Sequence, residues 1–228
     1  PKDDISQSPY SKGIAINSLF KSISSGVQTN RDKVVIDIDK DVLISRIRKI
    51  SDQAIDDETI KSEIGLKDTR EKSISEMRHM LYGVDLESNV KQISYRIFDD
   101  KWIFFSDILV LWTRMSEMKH YLSGDNIGLV VCRQTKTDWH HIFVTDKMVE
   151  SSYISNKTSE YGYSAPLWLY HDDGTKTANF DDAVLKDLLS EIGPYTYTPE
   201  RSELAEHPDN FWIIAQDVFD YIYGVLYS

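Results

Sequence analysis

The sequence predicts a mixed α/β fold, a central mixed sheet of about five or six strands flanked by helices, and three observations carry that prediction. Behind Asp39, the apolar residues Val42, Leu43, Ile44, Ile47 and Ile50 recur at helical spacing. The neighbouring runs Gln92–Phe98 and Lys101–Ser106 carry Tyr95, Phe98, Trp102, Phe104 and Phe105, residues that fit a pleated surface. A long aromatic helical pattern extends from Asp209 to Tyr227.

In chain order, Ile14, Ile16, Leu19, Phe20 and Ile23 precede a polar turn from Ser24 to Lys33, and Val34–Ile38 then reads as a short strand. Asp39 is the expected N-cap of the helix that follows. The acidic stretch from Asp52 to Asp68 is a connection or a short helix. Asp68–Tyr82 gives a second helix, with Ile74, Met77, Leu81 and Met80 on one face and Gly83 as its C-cap. Asp99 and Asp100 are the expected turn of a hairpin between the two aromatic runs. Thr113–Leu122 reads as a helix ended by Ser123 and Gly124, and the apolar run Ile127–Cys132 as a central strand. His141–Thr145 and Leu167–Tyr170 complete the sheet. Phe180–Ile192 is a helix with Val184, Leu185, Leu188 and Leu189 turned inward. These elements divide into an N-terminal α/β portion with a linker and helices, residues 1–90, and a mixed-sheet core, residues 91–228, within one continuous module.

The 228 residues, 41% apolar and 28% charged, are enough to bury a sizeable core. No stretch approaches the roughly 18 consecutive apolar residues of a membrane span, and the N-terminus lacks the basic-then-apolar order of a signal peptide. A cytoplasmic location without membrane contact is the expectation. The chain starts at Pro1 and closes directly after the pattern FDYIYGVLYS, as a piece of a longer protein would. Its one cysteine, Cys132, excludes a disulfide framework and reads as a buried thiol.

Motifs that would announce an enzyme are missing. There is no phosphate-cradling G-x-x-x-x-G-K-[ST] loop, no G-x-G-x-x-G turn and no G-x-S-x-G elbow. His140 and His141 are neighbours on a strand and point to opposite faces, one of them toward the core, so a zinc site would need distant ligands such as His120 or His171. The pairs Asp99 with Asp100, Asp172 with Asp173 and Asp181 with Asp182 stand where turns and helix starts want aspartate. The aromatic stripe Phe211, Trp212, Phe219, Tyr221 and Tyr223 reads as a face that docks the last helix on the sheet.

A net charge of -11 argues against a general nucleic-acid coat. The window Lys91–Lys157 differs from its flanks: nine Lys or Arg against eight Asp or Glu give it +1, and the rest of the chain carries -12. Two segments are richer in donors than packing requires. Ser24–Lys33 offers Gln28, Thr29, Asn30, Arg31 and Lys33 around Gly26; Arg133–Lys157 offers a guanidinium, amides, an indole, imidazoles and hydroxyls. Such groups suit phosphate oxygens and base edges, and they suit a solvated loop equally well.

The passages SSGVQTNRDKVVIDID (Ser24–Asp39), ISYRIFDDKWIFFS (Ile93–Ser106), TRMSEMKHYL (Thr113–Leu122), NIGLVVCRQ (Asn126–Gln134) and WHHIFVTDKMVESSYIS (Trp139–Ser155), followed by DVFDYIYGVLYS, stand in one order. That ordered series resembles the C-terminal specificity, or target recognition, domain of Type ISP-like restriction-modification enzymes. Family members usually read Tyr-Arg-Pro-Phe where this chain has Tyr95, Arg96, Ile97 and Phe98. The resemblance implies a non-catalytic module that binds double-stranded DNA sequence-specifically. It implies a parent polypeptide with nuclease, helicase-type motor and adenine methyltransferase parts, which are this module's partners. S-adenosylmethionine, ATP and Mg would belong to that parent, and this part would hold no cofactor and no metal. In this reading Arg133, Gln134, Lys136 and Trp139 approach the major groove, and Gln28, Asn30, Arg31, Ser151, Ser152 and Tyr153 contact backbone or bases. Arg96 and Arg114 reach phosphates, with Lys33 and Lys157 as further cations. The acidic balance implies weak binding in isolation, because tethering beside other DNA-binding parts raises effective concentration. The alternative is a protein-interaction or structural module that clamps catalytic domains without reading DNA; the acidic flanks and the aromatic last helix favour it.

Overall fold

The computed structural model describes residues 13–135, 141–158, 160–193, 195–201 and 212–228. Its class is the expected mixed α/β, but the single sheet of five or six strands is divided into two four-stranded sheets and two two-stranded ribbons. The chain enters through one helical turn, α1 (Ile16–Leu19), and a two-residue strand, β1 (Ser24–Ser25). The expected strand Val34–Ile38 is cut short, since a turn of helix, α2 (Asp32–Val35), takes the valines and leaves β2 (Ile36–Asp37). Val34 and Val35 are both buried; successive strand residues face opposite sides, whereas a helical turn can put both against one core.

Asp39 caps α3 (Lys40–Ser51), its carboxylate accepting from the N–H groups of Asp41 at 2.8 Å and Val42 at 3.1 Å. Leu43, Ile44, Ile47 and Ile50 are buried on the predicted face, and Val42 is exposed. The acidic connection holds a helix, α4 (Asp57–Ile64). The next helix is shorter than Asp68–Tyr82, because Ser73 and Glu76 close a capping box that starts α5 (Ile74–Leu81). Ile74, Met77 and Leu81 are buried, and Met80 turns outward.

The hairpin comprises β3 (Val90–Arg96) and β4 (Asp99–Phe104), and its turn falls at Ile97 and Phe98 rather than at the two aspartates. Asp100 sits in the ladder opposite Ser94, where it accepts from the Ser94 hydroxyl at 2.8 Å and pairs with Lys147 at 3.1 Å. These partners hold the aspartate in the strand and push the left-handed turn conformation onto Phe98, at φ 59°. The predicted helix Thr113–Leu122 contracts to α6 (Met115–Met118) and a 3-10 turn, Lys119–Tyr121. Arg114, at φ 53°, cannot belong to a right-handed helix.

Next come β5 (Gly128–Val131), β6 (Ile142–Thr145), β7 (Met148–Val149), β8 (Tyr163–Pro166), β9 (Trp168–Tyr170) and β10 (Lys176–Ala178). The first sheet is antiparallel in the order β1-β8-β5-β6; the second, β2-β4-β3-β7, is mixed, because β7 runs parallel to β3. The expected strand Leu167–Tyr170 lies outside both, since β9 pairs with β10 in a ribbon of its own. Asp181 caps α7 (Asp182–Ile192). Two short strands, β11 (Thr196–Tyr197) and β12 (Trp212–Ile213), pair in parallel before α8 (Ala215–Tyr227). That last helix begins at Ala215, not Asp209, and Phe211 lies outside the described residues.

Two hydrophobic cores follow. One packs α3, α4 and α5 on the second sheet through Leu43, Ile47, Met77, Ile93, Phe104 and Val149. The other packs Ala215, Val218, Phe219 and Ile222 of α8 against Leu129, Val131, Ile142 and Ala165 of the first sheet, so the last helix does dock on it. Of the expected aromatic stripe, Phe219 is buried there and Tyr223 packs partly, while Tyr221 is exposed and Trp212 belongs to β12. Strand β5 serves both cores, with Val130 in the first and Leu129 and Val131 in the second. Burial on both faces is why its sequence is an unbroken apolar run. No helix among the described residues is long and apolar enough to cross a membrane.

Candidate nucleic-acid interface

Three distant segments of the sequence meet where the two sheets abut. After β1 the chain crosses from the first sheet to the second: the Gly26 N–H donates to Gly162 O at 3.0 Å, and the Val27 N–H to Val149 O at 2.8 Å. The Ser151 N–H returns a bond to Val27 O at 2.7 Å, and the Glu150 N–H reaches Ser94 O at 3.1 Å. A side chain at residue 26 would place its Cβ 2.6 Å from Val149 O, so the crossing admits only glycine. Gln28 and Trp112 then exchange both backbone hydrogen bonds, each 3.0 Å.

Glu150 is the node of this seam. Its carboxylate, 5% exposed, accepts from Arg96 Nη1 at 2.5 Å, from the Ser152 N–H at 2.7 Å and from the Ser151 hydroxyl at 3.0 Å. Burial pushes its pKa up from the ordinary carboxylate value, against the pull of the Arg96 charge and the Ser152 N–H. Arg96 also donates to Tyr95 O at 2.5 Å and lies 3.8 Å above the Tyr95 ring. The Tyr95 hydroxyl donates to Asp32 at 2.7 Å, and the Thr29 hydroxyl bonds the same carboxylate. Burial, with that bond to Asp32, pushes the phenol up to about 12.

Above the node lies a depression of about 360 Å³ that Gln28, Asn30, Arg96, Ser152 and Tyr161 help to line. Gln28 Nε2 reaches Asn30 Oδ1 at 3.4 Å, Asn30 is exposed at φ 53°, and Tyr161 is 46% exposed. Beside it, Trp112 is half exposed under the Arg114 guanidinium, 5.1 Å from its ring centre. Asn30 and Arg114, with left-handed backbones, thus flank the Gln28–Trp112 bridge; asparagine adopts that conformation readily, while an arginine there is strained, and strained positions concentrate at functional surfaces.

Not every residue expected at an interface has donors to spare. Arg31 donates Nη1 to Leu109 O at 2.8 Å, and partial burial lowers its pKa. Arg96 is spent on Glu150 and the backbone, whereas the Arg114 Nε is buried and finds no acceptor among the described residues. Ser151 is buried with its hydroxyl on Glu150, and Tyr153 is buried edge-on to Phe143 at 5.7 Å. Ser152 stays partly exposed at the rim. Lys33 and Lys157 are exposed but do not line the depression. Arg133 and Gln134 are exposed at the end of β5, where the Arg133 guanidinium lies 4.0 Å over the Tyr163 ring. Tyr163 pairs with Ser25 and Val131, which places Arg133 beside the β1 end of the seam. Lys136, Trp139 and His140 lie outside the described residues.

Sequence reading missed Trp112, Tyr161, Asp32 and Glu150. The bridge from Gln28 to Trp112 spans residues far apart in the chain, and no local pattern announces it.

The remaining polar groups have structural uses. Asp181 caps α7, and Asp173 accepts from the N–H and hydroxyl of Thr175 at 2.9 and 2.6 Å. The partly buried ring of His141 lies 4.0 Å from the buried Glu160. His120 accepts at Nδ1 from the Tyr170 N–H at 3.0 Å, and burial lowers its pKa. Cys132 is buried and its thiol pKa is raised by that burial.

Comparison with known proteins supplies the remaining findings. A protein-family model, that of the Type ISP C-terminal specificity domain, matches residues 18–228. Comparison with curated proteins finds no match. Among solved structures, a cryo-electron-microscopy DrdV–DNA complex is similar over 91% of this chain, with a TM-score of 0.60 and 22% identity. LlaBIII, an ATP-dependent Type ISP restriction-modification enzyme solved bound to DNA, is similar over 95%, with a TM-score of 0.60 and 15% identity. A nuclease-deletion mutant of the Type ISP enzyme LlaGI with a DNA substrate mimic is similar over 74%, with a TM-score of 0.53 and 15% identity. This chain spans 19%, 14% and 17% of those chains respectively. Identities this low carry the fold.

Proposed function

Given that this chain belongs to the family of Type ISP C-terminal specificity domains, we propose that it is the target-recognition module of a restriction-modification enzyme, reading duplex DNA and doing no chemistry itself. The observation that carries the reading is the convergence on one seam of Gln28, Asn30, Ser152 and Arg133 with the exposed rings of Trp112 and Tyr161. Amides and a guanidinium are the groups that discriminate base edges, and exposed aromatics add stacking or wedging surface. The similar structures were solved with DNA, which supports the same assignment.

In this reading the parent polypeptide supplies an adenine methyltransferase with motor and nuclease parts. S-adenosylmethionine, ATP and Mg bind there, and the compartment is the cytoplasm. With a net charge of -11 the module holds DNA weakly by itself and relies on tethering for affinity.

The test is selection of the 228-residue chain on randomised duplexes at low ionic strength, where phosphate contacts hold best. Enrichment of one motif is expected, with affinity falling as salt rises. Recovery without any sequence preference would refute target recognition.

A second reading, a module that clamps the catalytic domains, is favoured by one observation. A groove of about 1080 Å³ runs between the tip of the β3–β4 hairpin, the open edge of β6 and the last turn of α8, lined by Phe98, Phe143, Val144, Tyr223 and Tyr227 among others. Phe98 is 100% exposed and Tyr227 71%, more apolar surface than a solvated hairpin tip and helix end require. The two readings use different faces and are compatible.

A further inference from the structure

Among the arginines gathered at the seam, Arg133 differs from the rest in how its donors are placed. Arg31 holds Leu109 O, Arg96 holds Glu150 and Tyr95 O, and Arg114 has its Nε buried. Arg133 stands exposed at the end of β5, a strand whose four residues are all buried and which is paired on both sides. Its guanidinium lies 4.0 Å above the ring of Tyr163, itself held in register with Val131 and Ser25. That contact to the ring restrains the guanidinium, and the residue is exposed. A planar pair of donors, restrained by the ring and paired with no carboxylate among the described residues, matches two acceptors side by side in one plane.

We propose that Arg133 reads a guanine, donating to its N7 and O6 in the major groove, so that the recognised sequence contains a G·C pair facing the end of β5. A phosphate offers two oxygens as well, but the surroundings argue for the base. Phosphate cradles gather several free cations, whereas Arg31 and Arg96 at this seam already hold Leu109 O and the Glu150 carboxylate. A net charge of -11 penalises a phosphate more than the neutral edge of a base. Gln134, exposed beside Arg133, is placed to read the neighbouring pair.

The inference rests on the target-recognition reading, and the experiment separates the two. The motif selected by the wild-type chain is compared with those of Arg133→Ala and Arg133→Lys, folding being checked by circular dichroism. The enriched duplex is then remade with 7-deazaguanine at each guanine in turn. Expected are one guanine whose preference Arg133→Ala abolishes while other positions keep theirs, and a roughly 10- to 100-fold loss of affinity when that guanine lacks N7. Arg133→Ala should be indifferent to the same replacement, and Arg133→Lys should retain affinity while relaxing the preference. A uniform loss across all sequences with a shallower salt dependence would make Arg133 a phosphate contact and overturn the proposal. So would an unchanged motif. Absence of any motif from the wild-type chain would remove the recognition reading and this inference together.

Discussion

Arg96 and Phe98 lie two residues apart at the end of one hairpin, yet they line surfaces built on opposite terms. At the seam, Arg96 is stacked on Tyr95, paired with a buried carboxylate and bonded to a carbonyl, and its neighbours Glu150, Ser151 and Asp32 are saturated in the same way. At the groove, Phe98 is wholly exposed on a left-handed backbone and Tyr227 of α8 is 71% exposed, with Tyr223 partly buried beside it. The seam is a polar surface whose foundations are locked and whose outermost donors are free. The groove sets exposed aromatic rings beside Asp100, Thr145 and Asp146, and the described chain leaves it uncovered. The difference shows that polarity alone does not mark an interface: what marks the seam is the division between spent and unspent groups, and what marks the groove is aromatic area that the described residues leave unburied.

The sharpest way to break this contrast is at its node. Glu150→Ala would leave the Arg96 guanidinium without its carboxylate and free the N–H of Ser152, and a loss of about 3–5 kcal/mol in chemical denaturation is expected. A loss below about 1 kcal/mol would mean that the seam is not locked as described. On the groove side, Phe98→Asn removes a large exposed ring and installs a residue that tolerates the left-handed turn. Stability of the isolated chain should change by less than about 0.5 kcal/mol, or rise slightly, since nothing packed is lost. A large destabilisation would show that Phe98 is tied to the fold, and the groove would lose its main reason for being a contact surface.

The smallest effect is in pH dependence. Burial raises the pKa of Glu150 in the folded chain above its ordinary 4.5, so between those two values the native state holds more proton than the unfolded one. Stability contributed by this group is fully present below pH 4.5 and declines as pH rises through the raised value. The wild-type chain should therefore lose stability relative to Glu150→Gln over that interval, a trend read from denaturation midpoints at several pH values. The opposite slope would mean that the Arg96 charge outweighs burial. No such term attaches to Phe98.

Much of the helical architecture was legible because its signals are local. Asp39, Asp181 and the inward faces of α3, α5 and α7 follow from a cap and a period of 3.6 residues. The hairpin was legible as a pair of runs but not in its turn, since Asp100 is fixed in the ladder by Ser94 and Lys147, partners that its immediate neighbours do not disclose. The helix after Thr113 was overestimated because the left-handed Arg114 answers to the Gln28–Trp112 bridge and not to helix propensity. At the candidate site the donor-rich segments were visible as composition, and Gln28, Asn30 and Arg133 do stand at the surface. Ser151 and Tyr153, read from the same composition, turned out to be buried.

By itself, the sequence determined the class of fold, the caps and faces of its longer helices, the buried double-sided strand β5 and the family to which the ordered motifs point. Each of these depends on residues close along the chain or on their order. Only the tertiary structure decided that one expected sheet is two, that residues 24–30, 94–96, 112–114, 133 and 150–152 meet at a single seam, and which of their donors remain free. A hydrogen bond's partner is chosen by proximity in space, and the same arginine is a strut or a reader according to whether a buried carboxylate happens to lie within reach.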